Sequence, residues 1–407
     1  MADEREWNDF INAAIEERRS DINSINRLVH ENPELAYQEF QAHDNLVSLL
    51  TKLGFQVTPR ICGVRTAFAA EFGSGGRLVV FNSEYDALPG IGHACGHNLI
   101  ASAGLASFLG VADALRKSGR PGRVRLVGTP AEEGGGGKLP LIEGGMYKDA
   151  AACLMTHPGP QYLLRGRCQG VAAVKMLANI KWRIFFSGEA AHAAMEPWNG
   201  KNALDALCIG YVAVSALRQQ IRPAERLHGV FTRAGDRPNV IPHVTSLDYY
   251  VRSDSLASAE RLWQRVKNCW DAAALATGCT VRYEPINSYA DVRSSSVICR
   301  EFCDTMDAYG HEVSYDDPID FLAGSTDMGN VTYECPGFHG SFGIDTEVGQ
   351  GNHTEGFAKA AGLEKSFDRN MDWSKGMARV AWKVLTDDEF ATKVREDWEE
   401  DMKRAKA

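Results

Sequence analysis

The sequence predicts an α/β protein with a mostly parallel central sheet and a second domain inserted into the first. Three observations lead there. Short apolar, strand-like runs alternate with helix-length segments from the amino terminus to Met155. The rhythm changes to strand, helix, strand, strand, helix, strand between Lys175 and Glu284, and the first alternation returns after Ser288. Strands connected through helices rather than tight hairpins imply parallel pairing with helices on both faces.

The elements follow in order. Phe10, Ile11, Ile15, Ile22, Ile25 and Val29 recur at helical spacing and predict one amphipathic helix from Trp7 to Val29, which Pro33 ends. A second helix, from Phe40 to Leu53, stops at Gly54. Strands are expected from Thr66 to Phe72 and from Leu78 to Ser83, then a helix from Asn98 to Lys117, a strand from Val124 to Gly128, and a further helix and strand ending at Met155. In the middle of the chain, Lys175 to Ser187, Leu227 to Arg233, Val244 to Arg252 and Thr280 to Glu284 read as strands, with helices from Asn202 to Gln220 and Ser258 to Thr277. That βαββαβ order is a ferredoxin-like module with an antiparallel sheet. The expected domains are therefore 1–172 with 288–407, and an inserted 173–287.

Composition narrows the function. The 407 residues, 44% hydrophobic and 24% charged, describe a globular chain long enough for two domains. A net charge of −9, without a dense Lys/Arg cluster carrying interleaved aromatics, argues against a nucleic-acid partner. No stretch is expected to reach the ~18–20 apolar residues of a membrane span. The charged amino-terminal segment lacks a secretory signal, and ten irregularly spaced cysteines read as reduced thiols, so a cytoplasmic protein is expected.

Four polar clusters carry the candidate chemistry. The densest runs from Glu84 to Asn98 and holds Asp86, Cys95 and His97 between an apolar strand and a helix. Ligand sites in open α/β sheets lie beyond the carboxyl ends of strands, and thiolate and imidazole both bind zinc-like metals. Alone, the Cys-x-His fits a buried thiol beside a satisfied histidine equally well. Glu132-Glu133 follows the next strand; on an extended segment neighbours point opposite ways, so one could bind metal while the other takes a proton from water. A lone Glu-Glu is more often a solvated loop pair. Lys138 does not complete a nucleotide-binding loop, because Glu132 and Leu139 stand where glycine and Ser/Thr are required. His157 ends an apolar run and His353 precedes a small-residue helix. Sulfur, nitrogen and oxygen donors at four strand ends of one sheet match a borderline metal.

With these residues in place, Asp86-Ala-Leu-Pro, His93-Ala-Cys-Gly-His97, Pro130-Ala-Glu-Glu133 and His157 resemble the aminoacylase, hippuricase and auxin-conjugate hydrolase branch of peptidase family M-20. The similarity extends to Asn32-Pro-Glu-Leu-Ala36, Gly188-Glu-Ala-Ala-His192, Asn239-Val-Ile-Pro242 and His353. Asn98 stands where much of that branch has aspartate. With Ser325-Thr-Asp-Met-Gly329 and Asn352-His-Thr-Glu355, it is more similar to the p-aminobenzoyl-glutamate hydrolase and β-alanyl-lysine dipeptidase subgroup.

The resemblance implies a zinc-peptidase-like catalytic domain and a lid or dimerisation domain. It implies two divalent metal ions, zinc first with manganese or cobalt as alternatives, held by Cys95, His97, Glu133, His157 and His353, the thiolate bridging. Glu132 would act as general base and then acid, Asp86 would orient a ligand, and His192 would stabilise the oxyanion, from its own or a partner subunit. Asn239, Arg252, Ser325 and Thr326 would bind substrate, an N-acyl amino acid or dipeptide. Amide formation or deacylation in a biosynthetic pathway is the same chemistry run for another purpose. A homodimer or higher homo-oligomer is expected. A cysteine hydrolase using Cys95 and a metal-free binding protein are the rival readings.

Overall fold

In chain order the strands are β1 (Gln56–Pro59), β2 (Phe68–Ser74), β3 (Leu78–Glu84), β4 (Gly122–Thr129), β5 (Ala150–Pro160), β6 (Gly170–Ala173), β7 (Ala178–Ser187), β8 (Arg226–Arg233), β9 (Val244–Ser253), β10 (Thr280–Tyr289), β11 (Val313–Asp316) and β12 (Gly337–Ile344). The structure, a computed structural model, describes residues 4–164, 168–316 and 324–405. The chain divides into two units, with boundaries at Lys175/Met176, Asp291/Val292 and Ser325/Thr326.

The first unit is built on an eight-stranded sheet ordered β1-β2-β4-β3-β5-β12-β6-β11. Its centre, β4-β3-β5-β12, is parallel, while β1, β2 and β6 add antiparallel pairings. β3 is buried along its whole length, as a central strand covered on both faces must be. One face packs Val79, Phe81, Leu126 and Leu154 against Leu105, Phe108, Phe302, Trp373 and Met377 from helices His97–Ser118, Ser296–Asp307 and Glu364–Thr386. The other packs Val80, Val127 and Cys153 against Leu141, Met328 and Val331.

The second unit is a four-stranded antiparallel sheet, β10-β7-β9-β8. Helices Ala203–Leu217 and Leu256–Thr277, the second through Trp270, close it over Ile184, Phe186, Leu247 and Tyr249. This is the βαββαβ order read from the sequence.

Four details differ from expectation. The first helix is two, Glu4–Glu17 and Arg19–Glu31, broken at Arg18, whose φ of −95° and ψ of 4° leave the helical region without a glycine or proline to signal it. The short edge strand β1 was not expected. β5 runs three residues beyond His157, which therefore lies inside a strand rather than at its end. Finally, helix His97–Ser118 is long and apolar enough to cross a membrane, with 94% of its apolar window buried inside the protein. Its hydropathy belongs to a core helix.

Candidate metal centre

The carboxyl ends of β3, β4, β5 and β12 lie side by side; the segments leaving β3, β4 and β12 carry candidate residues, and β5 itself carries His157. After β3 the chain passes Asp86 and turns at Gly96, which has φ 76°. A Cβ there would sit 2.5 Å from Pro158, so this position needs glycine on two counts. The turn places Cys95 beside the first residue of the buried helix, His97. After β4, Glu132 and Glu133 lie in a tight turn rather than the extended segment expected, because Ala131 adopts φ 61°. The segment after β12 delivers His353, also left-handed at φ 69°, whose backbone N–H donates to Ala94 O at 2.8 Å. Such conformations cost on the order of 1–2 kcal/mol each and persist where the surroundings enforce them.

These segments bring the candidate ligands into ligand-spaced groups, two of which meet at one sulfur. Ligand atoms of Cys95, His97 and His157 lie within 4.8 Å of one another, and so do those of Cys95, Glu133 and His353. Cys95 Sγ is 3.4 Å from His157 Nε2, and Glu133 Oε1 is 3.4 Å from His353 Nε2 and 3.8 Å from His97 Nε2. The histidines are aimed by their other nitrogens. His97 Nδ1 donates to Asp86 Oδ1 at 3.1 Å, and His157 Nδ1 donates to Pro158 O at 2.8 Å, which leaves each Nε2 turned to the cluster. Asp86 Oδ2 also accepts from the Glu133 backbone N–H at 3.0 Å, so one buried carboxylate orients two of the candidate ligands.

The electrostatics describe a site under tension. Burial pushes the Glu132 carboxyl well above the ordinary range, helped by the charges of Glu84, Glu133 and Asp327. Burial also works against ionised Glu133, but its hydrogen bond with His353 and the His97 charge outweigh it and hold that carboxyl below the usual value. The Cys95 thiol is driven up by burial and by Glu133. Among the described residues, His97 Nε2 is buried without a hydrogen-bond partner. Buried polar atoms left so are costly, and divalent cations are what this donor set fits: sulfur, imidazole and carboxylate at contact spacing.

Beneath Glu132 lies a charge cluster that sequence reasoning missed. Lys138 Nζ is 2.5 Å from both Glu84 Oε1 and Asp327 Oδ1, all three side chains fully buried, and the Lys138 backbone N–H donates to Asp327 Oδ2 at 2.9 Å. Glu84, Glu132 and Asp327 themselves lie within 4.8 Å. Asn352, quoted from the sequence only within a motif and given no role, has an amide that donates to Pro158 O at 3.2 Å and approaches Cys95 Sγ at 3.8 Å. Asn98 faces elsewhere, donating to Asn26 Oδ1 and Ala361 O at 2.8 and 2.9 Å.

The remaining expected residues fall into separate places. In the second unit, exposed His192 accepts from the backbone N–H groups of Ala194 and Met195 at 3.3 and 3.1 Å through Nδ1. The neutral ring therefore carries its proton on Nε2 and is set as a donor. A backbone bridge to Val240 puts Asn239 beside it, with Ala193 N–H donating to Asn239 O at 3.1 Å. Arg252 is held with Ser325, Nη1 donating to Oγ at 2.8 Å. Thr326, in the first unit, is buried and its hydroxyl accepts from Met328 N at 3.1 Å, shaping the start of helix Met328–Glu334.

Comparison with known proteins agrees with this architecture. Residues 80–368 match the model of peptidase family M20/M25/M40. An Xaa-Arg dipeptidase of Mus musculus is 37% identical over 386 residues, covering 91% of this chain and 87% of the relative. A p-aminobenzoyl-glutamate hydrolase chain of Escherichia coli (strain K12) is 34% identical over 292 residues, covering 67% of this chain and 59% of that protein. The crystal structure of an aminobenzoyl-glutamate utilization protein from Klebsiella pneumoniae has the same fold, with a TM-score of 0.71 at 19% identity, covering 93% of this chain and 99% of that one. A dinuclear metal-binding peptidase of Bacillus subtilis aligns with a TM-score of 0.65 at 18% identity, over 91% of this chain and 99% of that one. With strand-end donors in two groups around one cysteine, and a family model matched across most of its length, this chain belongs to peptidase family M20/M25/M40.

Proposed function

We propose that this amide hydrolase releases an amino acid from a dipeptide or N-acyl amino acid, using a pair of divalent cations shared across Cys95 and a proton carried by Glu132. The observation that carries the reading is the meeting of the two donor groups at one thiol. His97 and His157 would hold one cation with Cys95, and Glu133 and His353 the other. Zinc is the first candidate, with manganese and cobalt next. When bound, such ions polarise a carbonyl and acidify water.

The residues of the chain do the rest. Glu132, kept basic by burial among carboxylates, takes the proton from the attacking water and returns it to the leaving nitrogen, because an amide anion leaves too poorly unprotonated. Asp86 fixes the ring of His97. His192 donates from Nε2 to the carbonyl oxygen as charge develops there. Arg252 with Ser325, and Asn239 beside His192, grip the substrate. The reading includes a homodimer formed through the second unit, supported by edge strand β8 with exposed Val230 and Phe231, and by Ile209, Tyr211 and Val212 exposed on helix Ala203–Leu217. Ten unpaired cysteines support a reducing, cytoplasmic setting.

The relatives order the substrates to try. The Xaa-Arg dipeptidase match spans more of this chain than the aminobenzoyl-glutamate match, which favours dipeptides ending in a basic residue. Purified protein loaded with zinc, manganese or cobalt is incubated with Xaa-Arg and Xaa-Lys dipeptides, p-aminobenzoyl-glutamate and N-acetyl amino acids, and products are read by mass spectrometry. Hydrolysis that Glu132→Gln lowers by ~10²–10⁴-fold with metal content intact is the expected result. No cleavage in any metal form overturns the function, and normal turnover by Glu132→Gln overturns the base.

A further inference from the structure

The turn that presents Glu132 and Glu133 is held from outside by a segment no step above uses. Glu39 is fully buried, and its Oε1 accepts from the backbone N–H of Ala131 at 2.9 Å, across 92 residues of sequence. Oε1 also accepts from Tyr37 N–H at 3.0 Å, and Oε2 accepts from the Thr66 hydroxyl at 2.8 Å. Two residues earlier, the Tyr37 hydroxyl donates to Gly135 O at 3.0 Å. One short segment thus grips both ends of the turn, the amide at Ala131 and the carbonyl at Gly135.

The turn needs such a grip. Ala131 is a non-glycine residue at φ 61°, and its carbonyl accepts from the backbone N–H groups of Gly135, Gly136 and Gly137 at 3.0, 2.8 and 3.3 Å. The glycines let the chain fold back this closely: a Cβ on Gly137 would sit 1.8 Å from Pro130 O, and one on Gly135 would enter the Tyr37 ring at 2.4 Å. Glycine-rich backbone has many other conformations open to it. An external acceptor for the Ala131 amide selects this one, and Thr66 in turn fixes the acceptor.

We propose that Glu39 is a positioning residue for catalysis, clamping the Ala131–Gly135 turn with Tyr37 so that Glu132 and Glu133 face the metal centre together. The proposal rests on the reading of Glu132 as proton carrier. Glu39 touches neither substrate nor metal; it acts through the backbone of Ala131. Misplacement of a catalytic group by about 1 Å costs ~10²-fold in rate, which sets the scale of the expected effect.

Four full-length, metal-loaded variants test it. Glu39→Ala should lower kcat by roughly 10- to 100-fold at matched metal occupancy, with KM unchanged. Glu39→Gln, whose amide oxygen still accepts from Ala131, should restore most of that loss. Tyr37→Phe, which removes one hydroxyl from an exposed residue, should lower kcat less than Glu39→Ala. A wild-type kcat in Glu39→Ala overturns the clamp, as does an equal loss in Glu39→Gln. Should Glu39→Ala fail to fold, an unchanged kcat in Tyr37→Phe overturns it. Glu132→Gln, measured alongside, separates the two ideas: turnover lost there but retained in Glu39→Ala sinks only the clamp, whereas turnover retained in Glu132→Gln removes the base assignment itself.

Discussion

Cys95 Sγ stands 3.4 Å from His157 Nε2, and Cys95 also shares a ligand-spaced group with Glu133 and His353. A single thiol therefore belongs to both halves of the donor set. Removing it should disturb both cations. Cys95→Ser is expected to lose more metal than His157→Ala, which touches one group only, and elemental analysis of the purified variants decides this. Equal retention of both metals in Cys95→Ser would show that the sulfur is not a shared ligand.

His192 carries its proton on Nε2 because Nδ1 accepts two backbone N–H groups. Loss of one oxyanion donor costs ~10²–10³-fold in kcat, so His192→Ala should fall by that factor at unchanged metal content. If the donor serves a partner's site, mixed dimers of Glu132→Gln and His192→Ala chains should regain activity, since one site in each is intact. An unimpaired His192→Ala enzyme would remove this residue from the reaction.

Lys138 is a buried cation between Glu84 and Asp327. Lys138→Met keeps the volume and removes the charge, leaving two buried carboxylates uncompensated. Breaking a buried pair from one side typically costs ~3–5 kcal/mol, and urea unfolding should show a loss of that order. Adding Asp327→Asn to Lys138→Met should recover part of it. Recovery separates charge imbalance from lost packing, which the second substitution leaves as it was.

Glu39 supplies a pH dependence whose sign follows from its burial. Desolvation raises its carboxyl to about 7, above the 4.5 of an exposed glutamate. Between these values the unfolded chain has given up the proton and the folded chain still holds it. Stability relative to Glu39→Gln should therefore fall as pH rises from about 4.5 to 7 and level off above, by roughly 3 kcal/mol in all. Unfolding curves of both proteins at pH 5 and pH 8 measure it, and parallel behaviour would remove the effect.

Most of the architecture was legible because periodicity and strand length were unambiguous: the βαββαβ order of the second unit, and the strand-end positions of Cys95, His97, Glu133 and His353. The break at Arg18 was not, since packing alone separates Ile15 from Ile22 into two helices. The candidate ligands could be singled out because metal-binding residue types are few and the family resemblance pointed to the same positions. Glu84, Lys138 and Asp327 could not, because a buried Lys between two acids is indistinguishable in sequence from a solvated one until β3 and the segment near Asp327 meet. Glu39 was hidden likewise, just beyond a motif noticed only for its Pro-Glu-Leu. Reading Glu132 and Glu133 as extended failed because nothing about an alanine announces a left-handed turn.

The strand order has a consequence for how the protein is made. β12 lies in the sheet between β5 and β6 but follows them in the chain by way of the whole second unit. Synthesis runs from the amino terminus, so Cys95, His97, Glu133 and His157 exist before the residues that complete their surroundings. Until Gly337–Ile344 arrives, β5 is an open edge with unpaired backbone groups, and His353 comes later still. The newborn chain holds most of its candidate donors early yet lacks the rest of the candidate centre until β12 and the segment carrying His353 have been made, so the onset of hydrolytic competence is expected to wait on that late segment.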